Sequence, residues 1–164
     1  MLVVIDMQNH ILDPSSQLYI PGVESLVPRI ADRISQARDS GEYILYTQDI
    51  PIEYKDTKME EQYELQLIKD IKPRPNERVF KKYYFSLSPE KILDLQNDLK
   101  ERTEAYKRIE VVGVETSLCV LANTLKLQSA FPEAEIIVPS ALTSGRKYTA
   151  EALEILREFN VYIQ

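Results

Sequence analysis

The sequence predicts an α/β fold of three layers, in which helices cover both faces of an open, Rossmann-like sheet of about six mostly parallel strands. The first observation is that short apolar runs rich in β-branched residues alternate with longer segments of helical period. The second is that some runs are apolar on consecutive residues, as in Val3-Val4-Ile5, which is typical of strands covered on both faces. The predicted strands span residues 2–6, 43–47, 78–82, 109–114, 135–138 and 161–163.

Helices are predicted after most of these strands. The first has Pro28 near its first turn and Gly41 placed to end it. Its apolar face repeats at helical spacing through Leu26, Val27, Ile30, Ala31, Ile34 and Ala37. The second begins at Ser88-Pro89-Glu90, an N-cap followed by a proline and an acid in the first turn. Two more are predicted over residues 116–129 and 149–158.

The connection between the second and third strands lacks this pattern. Residues 50–77 are polar and include three prolines, which disfavour a long helix. We predict a short helix over residues 60–68 and expect the segment to form a lid over the site.

Size and charge restrict the classes of protein. A chain of 164 residues with 44% hydrophobic residues and no visible linker predicts a single domain spanning residues 1–164. The net charge of −6 repels phosphate backbones and anionic membranes, so neither nucleic acid nor a membrane is expected as a partner. The first apolar run ends at Asp6, too early for a signal peptide or a membrane span. We expect a cytoplasmic location.

Cysteine and histidine are scarce. Cys119 is the single cysteine of the sequence and His10 the single histidine, so an internal disulfide and a Cys/His zinc cluster are both excluded. Any metal would have to be held mainly by carboxylates, and no cofactor is expected.

Three reactive side chains fall at the carboxyl ends of predicted strands, where open parallel sheets bind their ligands. Asp6 closes the first strand, Lys81 or Lys82 the third, and Cys119 follows the fourth. Taken singly, they have ordinary interpretations as a capping carboxylate, a surface charge and a buried thiol. Together they supply the base, the cation and the nucleophile that acyl chemistry requires.

The position of Cys119 suits a nucleophile. A helix N-terminus or a nearby ammonium lowers a thiol pKa from its usual value of about 8.5, so we expect a reactive thiol. The turn from Gly113 to Cys119 would also point backbone N–H groups at a substrate as an oxyanion hole.

The chain resembles the isochorismatase-like hydrolases, a superfamily that includes nicotinamidases and related amidases. Three motifs carry the resemblance, in order along nearly the whole chain. They are Val4-Ile5-Asp6-Met7-Gln8-Asn9, then Val79-Phe80-Lys81-Lys82 running into Phe85-Ser86, then Gly113-Val114-Glu115-Thr116 with Cys119-Val120.

The resemblance implies roles for individual residues. Asp6, Lys82 and Cys119 would be catalytic, since Lys82 fits the spacing to Phe85-Ser86 better than Lys81 does. The amides of Glu115 and Cys119 would form the oxyanion hole after a cis peptide between Val114 and Glu115. Within the same motifs, the residues predicted to contact substrate are Gln8, Tyr84 and Phe85. Homo-oligomers are common in the family and are expected here.

The sequence also departs from the family. Nicotinamidases bind a metal through an Asp followed by two histidines, whereas Asp49 is followed here by Ile50 and Pro51. A metal is therefore not expected, and His10 is interpreted as a packing residue. After the cysteine motif, Asn123-Thr124 replaces a usual Thr-Ala pair.

These residues predict a cysteine hydrolase that cleaves the C–N bond of a small-molecule amide through a Cys119 thioester. Isochorismatase itself does not require a thiol, so an intact Asp-Lys-Cys set favours amide hydrolysis. Two alternatives stay open: a catalytically idle member acting as a binding or oligomeric module, and a metal-free nicotinamidase-like deamidase. A single-stranded nucleic acid platform at residues 81–85 is disfavoured by the acidic charge.

Overall fold

The computed structural model describes residues 1–164 apart from the side chain of residue 103. Strands and helices alternate along the described chain. In chain order they are β1 (Leu2–Ile5), α1 (Leu26–Asp39), β2 (Ile44–Asp49), β3 (Arg78–Lys82), α2 (Pro89–Leu99), β4 (Arg108–Val114), α3 (Leu121–Ala130), β5 (Glu135–Val138), β6 (Thr143–Ser144), α4 (Thr149–Glu158) and β7 (Tyr162–Ile163).

The strands form one open parallel sheet in the order β3-β2-β1-β4-β5-β7. The chain builds β1, β2 and β3 outward in one direction and then returns to place β4 on the other side of β1. This reversal creates a crevice at the carboxyl ends of β1 and β4, the usual ligand position in such sheets. The six predicted strands are confirmed. A seventh, β6, was not predicted; it has two residues and pairs with the end of β4.

Each face of the sheet has its own hydrophobic core. Val3 and Ile5 pack on the side of α2, α3 and α4, while Leu2 and Val4 pack on the side of α1. All four are fully buried, which explains why the strand is apolar on consecutive residues. Among the described residues, no helix combines the length and apolarity needed to cross a membrane.

The helix predicted over residues 60–68 is wrong. This part of the chain forms two separate 3₁₀ turns, Lys58–Glu61 and Tyr63–Leu65. The backbone carbonyl of Leu65 accepts hydrogen bonds from the side chains of Gln8 at 2.7 Å and Gln48 at 2.8 Å. Because that carbonyl serves distant side chains, it does not pair with an amide one helical turn further on.

The helix predicted over residues 116–129 forms, but in two parts. Its first turn, Thr116–Val120, is π-helical, and the α-helical part is α3. π-helical turns are rare and frequently occur at functional sites. This turn holds Cys119.

Gly113 allows β4 to lie against β1. Its φ is +115°, and a Cβ added there would lie 2.2 Å from the Ile5 carbonyl oxygen. We expect Gly113→Ala to lower the free energy of unfolding by about 3–5 kcal/mol, because strain and overpacking add. Gly22 is the matched control: its φ is +79°, but no atom lies within 4 Å of the added Cβ, so Gly22→Ala should lose only about 1–2 kcal/mol. Urea denaturation measures both, and equal losses would contradict the steric argument.

Candidate active site

Asp6 is held at the carboxyl end of β1 in a left-handed backbone conformation, with a φ of 50°. Aspartate tolerates this region better than most residues. The Thr47 hydroxyl donates to Asp6 Oδ1 at 2.7 Å and accepts from the Asp6 amide at 3.2 Å. Both residues are buried, so the carboxylate has one orientation, with Oδ2 directed away from Thr47.

Lys82, at the end of β3, connects the site. Its side chain is 0% exposed, and Nζ lies 2.8 Å from both Asp6 Oδ2 and Asp49 Oδ1. Nζ also donates to the Tyr84 carbonyl at 3.0 Å and to Cys119 Sγ at 3.4 Å. Lys81 points elsewhere and pairs with Glu60 at 2.6 Å. The structure therefore brings Lys82, and not Lys81, to Asp6 and Cys119.

Cys119 lies buried in the π-helical turn after β4. Its Sγ and one carboxylate oxygen each of Asp6 and Asp49 all lie within 4.8 Å of one another. Four strand ends, those of β1, β2, β3 and β4, thus bring a thiol, two carboxylates and an ammonium to one point.

Asn123 fixes the backbone around the thiol, a role that the sequence did not reveal. Its Nδ2 donates to the carbonyls of Cys119 at 2.7 Å and Phe85 at 2.9 Å, and its Oδ1 accepts from the Leu87 amide at 2.9 Å. The departure noted at Asn123-Thr124 therefore joins the Cys119 turn to the loop after β3. The sequence signal was that departure itself, the Asn123-Thr124 pair in place of a usual Thr-Ala pair.

Burial and charge set the protonation of the central groups. Burial disfavours the Lys82 ammonium, but Asp6, Cys119 and Asp49 outweigh burial and hold the pKa of Lys82 above its ordinary value. Burial, reinforced by Asp6, raises the pKa of Cys119 although Lys82 acts in the opposite direction. The predicted lowering of the thiol pKa is therefore wrong in direction, and Cys119 is a neutral thiol at pH 7.

Alkylation of Cys119 should follow from this raised pKa. Because only the thiolate reacts, we expect the rate with iodoacetamide to climb continuously from pH 7 to 9.5. Asp6→Asn should raise the rate at pH 7.5, since the Asp6 carboxylate raises the thiol pKa. Intact mass measures the rate, and Asp32→Asn, on the exposed side of α1, is the control. A rate plateau below pH 8 in the unaltered protein would contradict the assignment.

A small cavity of about 120 Å³ opens beside these groups. Two of the residues predicted to contact substrate, Phe85 and Gln8, line it. The Gln8 side-chain amide bonds to the protein at both ends: its oxygen accepts from the Asp49 amide, and its nitrogen donates to the carbonyls of Asp49 and Leu65. The Tyr84 side chain is 74% exposed and does not line the cavity, so only its carbonyl takes part, through Lys82.

Glu115 and Arg146 also line the cavity. The peptide bond between Val114 and Glu115 is cis, as the resemblance implies. Arg146 Nη2 lies 2.6 Å from Glu115 Oε1, and Nη1 donates to the Gln17 carbonyl at 2.6 Å. Burial opposes ionisation, but the bonds from Arg146 hold the pKa of Glu115 below its usual range, so the two form a neutralised pair.

The segment of residues 50–77 does not form the predicted lid. None of the residues from 50 to 77 lines the cavity in the described structure. The segment instead supports the loop after β1 from outside, since the Tyr63 carbonyl accepts from Asn9 at 2.8 Å and the Glu64 carbonyl contacts His10 Nδ1 at 3.0 Å.

The residues at the centre do not fit a metal ion. Asp6, Asp49 and Cys119 are close enough to share a cation, but the Lys82 ammonium already contacts all three. A divalent ion at the same point would meet that ammonium at close range and be repelled. The cation of this site is the lysine.

A family model described as the isochorismatase domain matches residues 1–161. A search of curated proteins found no significant match.

Solved structures share the fold at low identity. The pyrazinamidase of Pyrococcus horikoshii, solved in complex with zinc, is 20% identical with a TM-score of 0.80, covering 99% of this chain and 97% of its own. The nicotinamidase from Staphylococcus aureus is 19% identical with a TM-score of 0.78, covering 99% and 96%. An isochorismatase-like hydrolase from Alkaliphilus metalliredigens is 21% identical with a TM-score of 0.79, covering 99% and 92%. With the family model spanning residues 1–161 and the sheet order and strand-end residues described above, the chain belongs to the isochorismatase family of hydrolases.

Proposed function

We propose that the protein hydrolyses the C–N bond of a small amide through a thioester on Cys119. One observation carries the proposal: a single buried ammonium contacts both a carboxylate, at 2.8 Å, and a thiol, at 3.4 Å, beside a cavity. A base, a nucleophile and a fixed cation are the parts that acyl transfer requires.

The first half of the reaction forms the thioester. Asp6 accepts the thiol proton as Sγ bonds to the amide carbon, and the carbonyl π electrons move to oxygen. The backbone N–H groups of Glu115 and Cys119 stabilise that oxyanion. Protonated Asp6 then gives its proton to the leaving nitrogen, the C–N bond breaks, and ammonia or an amine departs.

The second half hydrolyses the thioester. Asp6, again a carboxylate, takes a proton from water as the water oxygen adds to the acyl carbon. The C–S bond then breaks, the acid is released, and the sulfur recovers a proton from Asp6. Lys82 keeps its proton throughout, because its pKa is raised, and stabilises the negative charge as it moves between Asp6 and sulfur.

Two further observations support an amide as substrate. The similar structures include a pyrazinamidase and a nicotinamidase. A cavity of about 120 Å³ is well below the usual range for ligand sites, so a compact substrate is favoured. The neutral, buried thiol also favours the alternative, a catalytically idle binding module. The following experiment distinguishes that module from the proposed amidase. Homo-oligomers and a cytoplasmic location remain predictions.

Ammonia release from a panel of small primary amides, including nicotinamide and pyrazinamide, tests the proposal. We expect turnover of at least one amide, and hydroxylamine should divert the acyl group to a hydroxamate by attacking the thioester. A mass increase equal to the acyl group, mapped to Cys119 by peptide digestion, would identify the intermediate. Ser117→Ala, two residues away, is the control. No ammonia release and no acyl adduct would support the idle module instead.

A further inference from the structure

The cavity offers hydrogen-bond acceptors that the proposed reaction does not use. Among the described side chains that line it, Gln8 is committed to the protein, and Arg146 is neutralised by Glu115. Two polar groups remain, Asp49 and His10.

His10 presents an acceptor. Its Nδ1 lies 3.0 Å from the Glu64 carbonyl oxygen, which can only accept, so Nδ1 carries the hydrogen. Burial lowers the pKa of His10 despite the nearby carboxylates, so the ring is neutral and Nε2 keeps a lone pair. In the described structure no protein donor contacts Nε2.

Asp49 presents a second acceptor. Its Oδ1 is buried and contacts Lys82 Nζ at 2.8 Å, yet its side chain is 41% exposed. Asp49 lines the cavity, so part of this exposed side chain faces it. The backbone of Asp49 is fixed on both sides by the Gln8 amide, so the residue is held at the edge of the cavity.

The charges of the cavity do not balance. Asp6 and Asp49 are two carboxylates that share one ammonium, that of Lys82. Glu115 and Arg146 cancel each other, while the thiol and the imidazole are neutral. Counted by formal charge, one negative charge is left in excess, although burial raises the pKa of Asp49.

We propose that the substrate is a small amide with an ammonium or another N–H donor group one or two bonds from its carbonyl carbon. Asp49 and His10 would bind that donor group. This inference rests on the proposed function. One carboxylate oxygen of Asp49 lies within 4.8 Å of Cys119 Sγ, so the carboxylate is close to the carbon that the sulfur attacks, and a donor group near that carbon can reach it. An acceptor or an anion at the same position would face an unpaired lone pair and a like charge.

Three amides of matched skeleton test the proposal at pH 7: glycinamide with an ammonium, propionamide with a methyl group, and malonamate with a carboxylate. We expect kcat/KM for glycinamide to exceed that for propionamide by about 10- to 100-fold, since a charge-assisted hydrogen bond is lost. Malonamate should be poorer than propionamide. His10→Phe should reduce the preference for glycinamide, whereas His10→Gln, which keeps an acceptor, should retain more of it. Asp49→Asn should reduce the preference to within about 3-fold.

Binding to the Cys119→Ala variant, measured by calorimetry, separates the two proposals. If glycinamide and propionamide are hydrolysed at equal rates, or if malonamate is preferred, the substrate class is overturned while the amidase proposal stays in place. Preferential binding of glycinamide without turnover by the unaltered protein would support the ligand class and count against the amidase. The absence of both binding and turnover of glycinamide would overturn the substrate class.

Discussion

Lys82→Met is expected to destabilise the protein by about 3–5 kcal/mol, the usual loss when one partner of a buried ion pair is removed. The reason is that Lys82 Nζ is the ammonium that contacts the carboxylates of Asp6 and Asp49. Asp6 is almost fully buried and would be left as an uncompensated charge. Methionine keeps the length and apolar volume of the side chain, so packing changes little. Urea denaturation, followed by circular dichroism, measures the loss.

Two variants separate charge from packing in this experiment. Lys81→Met removes a half-exposed ammonium from its pair with Glu60 and should change stability by about 0–1 kcal/mol. The double variant Lys82→Met with Asp6→Asn removes the stranded charge and should recover part of the loss. If Lys82→Met is as stable as Lys81→Met, the central ion cluster does not stabilise the fold as described.

Cys119→Ser and Cys119→Ala are expected to lower amide hydrolysis by at least about 1,000-fold, because the proposed thioester cannot form. A serine hydroxyl at this position is a poor substitute, since a carboxylate is too weak a base to ionise it. Steady-state ammonia release gives the rate, and Ser117→Ala, whose hydroxyl donates to the Lys147 carbonyl outside the catalytic cluster, should stay within about 3-fold of the unaltered protein.

The Cys119 variants also test whether the protein can hydrolyse amides without the thiol. Cys119→Ala should keep the fold, because a small apolar residue fits the buried position. Retention of more than about one tenth of the hydrolytic rate would show that the sulfur is not the nucleophile. The base Asp6 and the cation Lys82 would then have to act on the substrate directly.

Much of the fold could be predicted because its signals are local. Apolar runs mark β1 and β4, and the helix start at Ser88 is confirmed by its hydroxyl, which accepts from the Lys91 amide at 3.4 Å. The two failures are non-local. The strand β6 has only two residues and exists because β4 extends beyond β5. Residues 60–68 contain no internal signal of the hydrogen bonds that Gln8 and Gln48 impose on Leu65.

For the site, the sequence by itself determined which chemical groups stand at the strand ends: Asp6, a lysine of the 81–82 pair, and Cys119. Only the tertiary structure decided between the lysines, because successive side chains of a strand point to opposite faces and the register of β3 on β2 sets Lys82 opposite Asp49. It also decided the protonation of Cys119. A pattern suggests a nearby cation, but the thiol pKa depends on burial and on charges brought from distant parts of the chain.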